Sequence, residues 1–413
     1  MSGSDVLTVA VCIVGYALIC RRVSAWWVTM PIVFVALGVA TDALEIVELD
    51  IAIDEVAILA EVTLAVILFA DAVRMNVNEL RRGAELPLRL LLIGLPLTVA
   101  MSTVMTWWLL GTTFWAAALI AAVLAPTDAA VGEAVVADPS VPQRIRQALN
   151  VEAGLNDGLI VPAFVLFAEL TLDETRSGSE WAEFVIRQVG GGLVAGVVAG
   201  GLGAYVLGLA MRAGWTEGVY SQVGTLALAV ATFVAATELD VNAFIAAFVA
   251  GLAFGTILDD ETADHLDEYT ADSGALLAMV AFFVFGNLFV IDAFDSTRWQ
   301  VLVCAALALT AGRMIPVAIA TSFTGLQRPT VAFLGWFGPR GLASIVFGVL
   351  LLEEELPDAD DLFGVITLTV LASIVLHGLS ASPGAAAYGR WYARHEAIPM
   401  PESEPTIDRR LRR

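Results

Sequence analysis

Lysine is absent from this sequence of 413 residues, and charged residues of all kinds make up only 15% of it. The 21 basic residues are therefore all arginine, and with 43 acidic residues they leave a net charge of −22. This balance argues against nucleic-acid partners, because binding to phosphates needs clustered basic side chains. The absence of lysine also excludes proton-pumping membrane subunits that depend on buried lysines. Cysteine is scarce too, and Cys12, Cys20 and Cys304 lie in apolar stretches, where we interpret them as small core residues.

Long hydrophobic runs dominate what is present, since 58% of the residues are hydrophobic. Apolar stretches of about 20 residues, the length that a helix needs to cross a bilayer, recur from residue 5 to residue 382. The sequence therefore predicts an all-α membrane protein with about 13 transmembrane helices. The predicted spans cover about 5–20, 25–41, 54–74, 87–110, 113–136, 145–170, 184–211, 217–237, 241–258, 271–291, 299–321, 329–352 and 362–382.

The arginines predict the orientation of these spans. With the C-terminus inside, sixteen of the 21 arginines lie in cytoplasmic segments, three lie on the other side and two lie within spans. Because cytoplasmic loops retain basic residues, we expect a multi-pass protein of the cell (inner or plasma) membrane with its N-terminus outside. After Pro383 we expect a short polar cytoplasmic tail, 383–413, without regular structure.

Several charged residues need no special site at this stage. The acidic stretch Asp259 to Glu268 is interpreted as a solvated loop, since charge runs are usually solvated, with a regulatory cation-sensing segment as the alternative. Asp71 and Glu133 lie nearer the cytoplasmic ends of their spans, where solvation explains them. His377 falls at the end of the last span.

Ionisable residues at bilayer depth are a different matter, because each costs roughly 2.5 to 3.5 kcal/mol to insert. Such residues mark candidate functional sites. Six stand out along the predicted spans: Glu61, Asp128, Glu152, Asp157, Arg313 and Arg340.

Two spans carry helix-breaking residues beside these charges. In the fifth span Pro126 removes a backbone donor, so the helix should break there and expose Thr127 and Asp128. In the twelfth, Gly338, Pro339 and Gly341 surround Arg340. Two broken helices of opposite direction predict an inverted repeat, with an ion site where the breaks cross. Asp128 has an alternative role, as the N-cap of a half-helix.

Glu152 and Asp157 lie five residues apart in the sixth span, about 140° around a helix, so they cannot share a face. We therefore expect one carboxylate to point into the ion cavity and the other to pair with a buried arginine. Arg313 is the first choice for that partner and Arg340 the second.

Taken together, these motifs resemble the NhaP-type branch of the monovalent cation:proton antiporters, which are related to the sodium/hydrogen exchangers. The resemblance covers nearly the whole chain in order and spacing. It is carried by Ala125-Pro126-Thr127-Asp128, Glu152 with Asn156-Asp157-Gly158, Phe69 and Glu61, Ala250-Gly251-Leu252, and Gly338-Pro339-Arg340-Gly341.

The resemblance implies roles for individual residues. The residue matching Asp157 binds sodium and a proton in turn, with oxygens matching Thr127 and Asp128 completing the coordination. Glu61 would contribute through water, and Asn156 belongs to the same cation- and proton-binding group. The structural charges are Glu152, Arg313 and Arg340. Within this set, Glu152 pairs with the arginine that corresponds to Arg313.

One position departs from the pattern. Relatives often carry serine between the glutamate and the Asn-Asp pair, whereas this chain has Ala153, so one hydroxyl ligand is missing. A water could fill that position.

The resemblance also implies an architecture and a function. A moving core, about 87–170 and 299–382, would work against a dimer-making scaffold, about 5–74 and 184–291. We expect electroneutral sodium/proton exchange in a homodimer, with no cofactor beyond the transported ions. The alternatives are potassium/proton exchange on the same fold, an intramembrane aspartyl protease built on Asp128 and Asp157, and a membrane protein that binds but does not transport.

Overall fold

The structure is a computed structural model, and it describes residues 3–395 apart from 25, 47–48, 50–52, 76–84, 173–176, 259, 296 and 353–358. Every regular element within the described residues is helical. We number the helices in chain order: α1 Gly3–Ser24, α2 Met30–Ala43, α3 Ile53–Val73, α4 Glu85–Leu110, α5 Phe114–Val123, α6 Ala129–Val136, α7 Gln143–Leu172, α8 Gly178–Arg212, α9 Val219–Glu238, α10 Ala243–Ile257, α11 Asp260–Leu288, α12 Val290–Asp295, α13 Trp299–Leu309, α14 Ala311–Ala320, α15 Arg328–Trp336, α16 Leu342–Leu352 and α17 Ala359–His395.

Length and apolar composition identify this as a multi-pass membrane protein. Within the described residues, nine helices are long and apolar enough to cross a bilayer. Four shorter apolar helices accompany them: Met30–Ala43, Phe114–Val123, Ala243–Ile257 and Leu342–Leu352. The all-helical membrane fold predicted from the sequence is confirmed, while the count of 13 crossings and the inverted repeat stay predictions.

Glycines allow several helices to pack backbone against backbone. A Cβ at Gly200 of α8 would overlap the backbone of Ala250 in α10, and one at Gly251 of α10 would overlap the Phe69 carbonyl in α3. Gly38 brings α2 equally close to α11. Such small residues at helix interfaces are common in membranes, where close van der Waals contact replaces the hydrophobic effect as the force that joins helices. Helices α2, α3 and α8–α11 are joined in this way or by direct packing.

The remaining long helices pack mainly among themselves. Helix α4 lies against α5 and α14, α5 lies against α7, and α17 lies against α6, α13 and α16. The two groups meet where α3 contacts α7 and α16. The division of the chain into a moving core and a dimer-making scaffold stays a prediction.

The prediction that regular structure ends at Pro383 is wrong for residues 383–395, because α17 runs through this proline to His395. Packing explains the continuation. The ring of Tyr388 stacks on Phe333 with centroids 4.2 Å apart, and its hydroxyl lies 2.9 Å from Thr330 Oγ1. These contacts offset the backbone hydrogen bond that proline removes. The rest of the predicted tail, 396–413, lies outside the described residues.

The predicted loop at Asp259 to Glu268 is also wrong from Asp260 onward, where α11 begins. Asp259 itself lies outside the described residues. Asp267 is fully buried in this helix and accepts a hydrogen bond from Arg74 Nε at 2.6 Å. The acidic run therefore includes a buried charge that its composition did not reveal.

The close packing at Gly251 is testable by a single methyl group. We expect Gly251→Ala to lower the free energy of unfolding in detergent by about 1–3 kcal/mol, because the new Cβ has no room beside the α3 backbone. The melting temperature should fall accordingly. Gly224 of α9 has open space around it, so Gly224→Ala should leave the melting temperature unchanged or raise it slightly. Equal effects of the two substitutions would contradict the packing described for α10 and α3.

Candidate cation site at the crossing of two interrupted helices

The fifth predicted span is interrupted where the sequence indicates. Helix α5 begins at a side-chain cap, the Thr113 hydroxyl accepting from Ala116 N–H, and ends at Val123. Pro126 follows, and the residue before a proline is disfavoured in the helical region. The chain resumes as α6 only at Ala129, so Thr127 lies in the extended segment between two half-helices.

Asp128 joins this interruption to the second one. Its Oδ1 accepts from the N–H groups of Ala130 and Val131, at 2.7 and 3.2 Å, and so caps α6. Its Oδ2 accepts from Leu342 N–H at 2.6 Å, at the start of α16, while its own N–H donates to the Pro339 carbonyl at 2.8 Å. One carboxylate therefore caps the N-termini of two half-helices, where a negative charge is favoured.

Arg340 is the positive counterpart of this arrangement. Its Nε donates to the Leu124 carbonyl at 2.7 Å, just past the end of α5, and its Nη1 donates to the Gly338 carbonyl, just past the end of α15. The Ser344 hydroxyl adds a bond of 2.7 Å to the Val123 carbonyl. Cationic groups are favoured at C-terminal helix ends, so Arg340 stabilises the two ends that Asp128 does not reach.

Two residues that sequence reasoning left out support Arg340 from α17. The Arg340 N–H donates to Ser373 Oγ at 2.6 Å, and that hydroxyl lies 3.1 Å from His377 Nδ1. The His377 ring packs on Trp336, with centroids 4.8 Å apart. The prediction of an uninformative histidine at a span end is wrong, since His377 is 1% exposed and packs beside the second interruption.

Glu152 and Arg313 form a buried, bidentate ion pair. Arg313 Nη1 and Nη2 donate to Glu152 Oε1 and Oε2 at 2.5 and 2.8 Å, and both residues are 2% exposed. This geometry matches the first of the two partners considered from the sequence. Gly338 is needed here, because a Cβ at that position would overlap the Arg313 guanidinium.

Asp157 lies on a different face of α7 and has a different environment. The residue before it, Asn156, donates from Nδ2 to the Thr127 hydroxyl at 2.6 Å, which ties α7 to the first interruption. Asp157 is only 7% exposed. Asn156 Oδ1 and Asp157 Oδ1 are both buried without a hydrogen-bond partner among the described residues. Buried polar atoms are normally paired, so these two oxygens are open acceptors.

A small cavity lies beside the first interruption. Its volume is about 20 Å³, and its lining includes Thr127, Asp128, Asn150, Ala153 and Pro339. This is room for one water-sized occupant. The cavity lies beside the position where Ala153 lacks the hydroxyl that relatives often carry.

Asp71 is a site residue that the sequence analysis missed. It projects from the end of α3 toward α7, where a Cβ at Gly154 would lie 3.8 Å from the Asp71 Cβ. Asp71 and Asp128 are close enough for their charges to act on Asp157. Asp71 is partly exposed, so the explanation by solvation at the span end stays a prediction. The i, i+3 spacing of Asp71 and Arg74 at the end of an apolar run was a signal that could have drawn attention to it.

Glu61, the acid of α3 chosen from the sequence, lies ten residues before Asp71. Ten helical residues span about 15 Å, so the two acids lie at different depths along the same helix. Glu61 is partly buried. Its participation through water stays a prediction.

These placements separate fixed charges from an open one. Asp128, Arg340, Glu152 and Arg313 are each held by several hydrogen bonds, whereas Asp157 has an oxygen without a partner. Oxygen atoms are the ligands that hard cations prefer. The crossing can therefore present Asp157, assisted by oxygens of Thr127 and Asn156, to a small cation or to a proton.

Comparison with known proteins places this chain among transporters. The family described as "Sodium/hydrogen exchanger, transmembrane" matches residues 7–386. The Na(+)/H(+) antiporter NhaP of Pseudomonas aeruginosa is 27% identical over 279 residues, which is 64% of this chain and 64% of that protein. The K(+)/H(+) antiporter NhaP2 of a Shewanella species is 24% identical over 336 residues, 79% of this chain and 57% of that protein. The matched region thus spans less than two thirds of these curated relatives.

A solved structure has the same fold. The structure of the sodium proton antiporter MjNhaP1 from Methanocaldococcus jannaschii superimposes with a TM-score of 0.75, covering 92% of this chain and 97% of that one, at 18% identity. The family match extends over nearly all of the chain and confirms the resemblance inferred from the motifs. The chain belongs to the transmembrane sodium/hydrogen exchanger family.

Proposed function

We propose that this protein is a monovalent cation:proton antiporter that exchanges sodium for a proton at Asp157. The proposal rests on the contrast between Asp157 and the other charged groups at the crossing. Asp157 Oδ1 is buried and has no hydrogen-bond partner in the part of the chain that the structure describes, while the neighbouring charged groups are held by hydrogen bonds to backbone or by an ion pair. A carboxylate in that position has two ways to satisfy its oxygen, by binding a proton or by binding a cation.

The fixed groups supply the reason why exchange is confined to Asp157. Both oxygens of Glu152 accept from Arg313, and arginine stays protonated at physiological pH. Asp128 accepts three backbone N–H bonds, which favour its charged form and leave it little capacity for a cation. The earlier assignment of Asp128 as a cation ligand stays a prediction, and its capping geometry supports a compensating role instead.

The chemistry of the ligands leaves the choice among monovalent cations to experiment. Thr127, Asn156 and Asp157 offer hard oxygen donors, which sodium, lithium and potassium all accept. The relatives include proteins named as Na(+)/H(+) and as K(+)/H(+) antiporters. Fluorescence dequenching in proteoliposomes, with each cation titrated in turn, ranks the ions directly. Absence of exchange with every monovalent cation would overturn the proposal.

Transport also needs a conformational change and an orientation. We take the helices around the crossing, 87–170 and 299–382, as the moving core and 5–74 and 184–291 as the scaffold of a homodimer in the cell membrane. The N-terminus would lie outside and the C-terminus in the cytoplasm. Helix α3 lies where the two parts meet, since it packs against α10 and α11 of the scaffold and against α7 and α16 of the core.

Asp157→Asn tests the exchanging group. We expect the variant to fold and to lose exchange by at least about a hundredfold, because an amide cannot release a proton at any accessible pH. The measurement is the initial rate of cation-induced dequenching in proteoliposomes containing equal amounts of protein. Asp240→Asn, which removes an exposed carboxylate paired with Arg187, is the matched control and should retain the wild-type rate. Wild-type rates from folded Asp157→Asn protein would show that another group exchanges the ions.

Glu152→Gln tests the assignment of a structural ion pair. Removing one partner of a buried pair leaves the other charge uncompensated, at a cost of about 3 to 5 kcal/mol. We expect a large fall in melting temperature in detergent and a smaller change in apparent cation affinity. Glu133→Gln, on an exposed position of α6, is the control and should change neither. A variant with unchanged stability and lost cation affinity would place Glu152 among the transport ligands.

Electroneutrality follows if Asp157 alone changes its protonation during the cycle. One proton then leaves for each monovalent cation bound, so no net charge crosses the membrane. We expect a sodium gradient in proteoliposomes to drive proton movement to the same equilibrium at every membrane potential set with valinomycin and potassium. An equilibrium that shifts with the clamped potential would rule out one-for-one exchange. Asn156 cannot titrate and the chain has no lysine, which supports this stoichiometry.

A further inference from the structure

A partly buried ion pair lies near the candidate site and has no part in the roles described so far. Arg74, just past the end of α3, donates from Nε to Asp267 Oδ2 of α11 at 2.6 Å. The Asp267 side chain has no exposed surface, whereas the Arg74 side chain is 52% exposed. The pair therefore combines a buried carboxylate with an arginine that reaches the surface.

Arg74 is also close to a carboxylate of the site. It lies one turn after Asp71, and residues three apart on a helix are neighbours, with Cβ atoms about 5–6 Å apart. The charged groups whose fields act on Asp71 are Arg74, Asp267 and Asp128. The charge of Asp71 in turn acts on Asp157. A permanent positive charge thus lies close to Asp71, the carboxylate beside the proposed exchanging group.

An arginine in this position is a potential competitor of the transported ion. Its guanidinium is charged at any physiological pH and binds carboxylates through two parallel hydrogen bonds. If it were free to turn, it would pair with the Asp71 carboxylate. The carboxylate of Asp267 offers it another partner.

The burial of Asp267 distinguishes this pair from an ordinary ion pair on the protein surface. Among the arginine–carboxylate pairs between described residues, only Asp267 and Glu152 are carboxylates with less than 5% exposure. The carboxylates of the pairs Arg89–Glu85, Arg187–Asp240 and Arg298–Asp361 are 20–72% exposed. A buried charge is costly, and a surface pair would join two helices without that cost.

We propose that Asp267 is a positioning residue that holds Arg74 away from Asp71, so that Asp71 and Asp157 stay open to the transported cation. The inference rests on the proposed function. In this account Asp267 does not touch the cation. Asp267 determines where the charge of Arg74 lies. When the Asp267 carboxylate is removed, the Arg74 guanidinium competes with the transported cation.

The test is a kinetic comparison of single and double variants in proteoliposomes. Asp267→Asn should raise the apparent KM for the exchanged cation about tenfold, as expected for a unit charge moved into contact range of the site. The maximal rate should stay within about twofold of the wild type, because saturating cation displaces the competitor. Adding Arg74→Gln to Asp267→Asn removes the competing charge and should return KM to the wild-type value.

Controls separate positioning from a structural role. Asp361→Asn breaks another arginine–aspartate pair, with Arg298, and should change neither KM nor the maximal rate. If Asp267→Asn alone does not fold, the comparison is made between Arg74→Lys/Asp267→Asn, which keeps a positive charge, and Arg74→Gln/Asp267→Asn, which does not. Only the variant with the charge should have the raised KM.

The outcomes also separate this inference from the function on which it rests. Wild-type vesicles without cation-dependent proton movement would overturn the proposed function. If the wild-type vesicles are active, three results would overturn the positioning role alone. These are an unchanged KM in Asp267→Asn, a raised KM that persists after Arg74→Gln is added, and a loss confined to the maximal rate.

Discussion

The constraint on which the rest of the structure depends is the electrostatics of two interrupted helices that meet inside the membrane. Each interruption exposes unpaired N–H groups at one helix end and unpaired carbonyls at another, and lipid cannot satisfy them. Asp128 accepts from the N-termini of α6 and α16, and Arg340 donates to carbonyls at the ends of α5 and α15. The two opposite charges of these residues compensate the four helix ends and hold the crossing together.

This compensation determines which carboxylate remains available to bind an ion. With Asp128 and Arg340 held at the helix ends and Glu152 bound by Arg313, the open carboxylate oxygen on α7 belongs to Asp157. In the proposed mechanism the exchanging group thus lies among fixed charges, so that a single proton or cation binds without disturbing the crossing. Asp71 brings a second carboxylate from α3, at the contact between the two helix groups, where a relative movement would change its distance from Asp157.

Much of this arrangement could be predicted from the sequence, because helix breakers and intramembrane charges are local signals. Pro126 and the glycines around Arg340 indicated both interruptions, and the 140° between Glu152 and Asp157 separated their roles. Asp71 was missed because depth along a span was judged from distance to the helix end, which says nothing about the neighbouring helix. The burial of Asp267 and His377 depends on partners more than 30 residues away in the chain, which a local reading of composition does not supply.

The central claim is that a cation and a proton compete for Asp157. Its most direct test is the number of protons released when the cation binds to purified protein in detergent, measured calorimetrically in buffers of different ionisation enthalpy. At a pH where the cation-free site is protonated, the account predicts about one proton per bound cation for the wild type, and no release for Asp157→Asn. Cation binding without proton release, or undiminished release from Asp157→Asn, would contradict it.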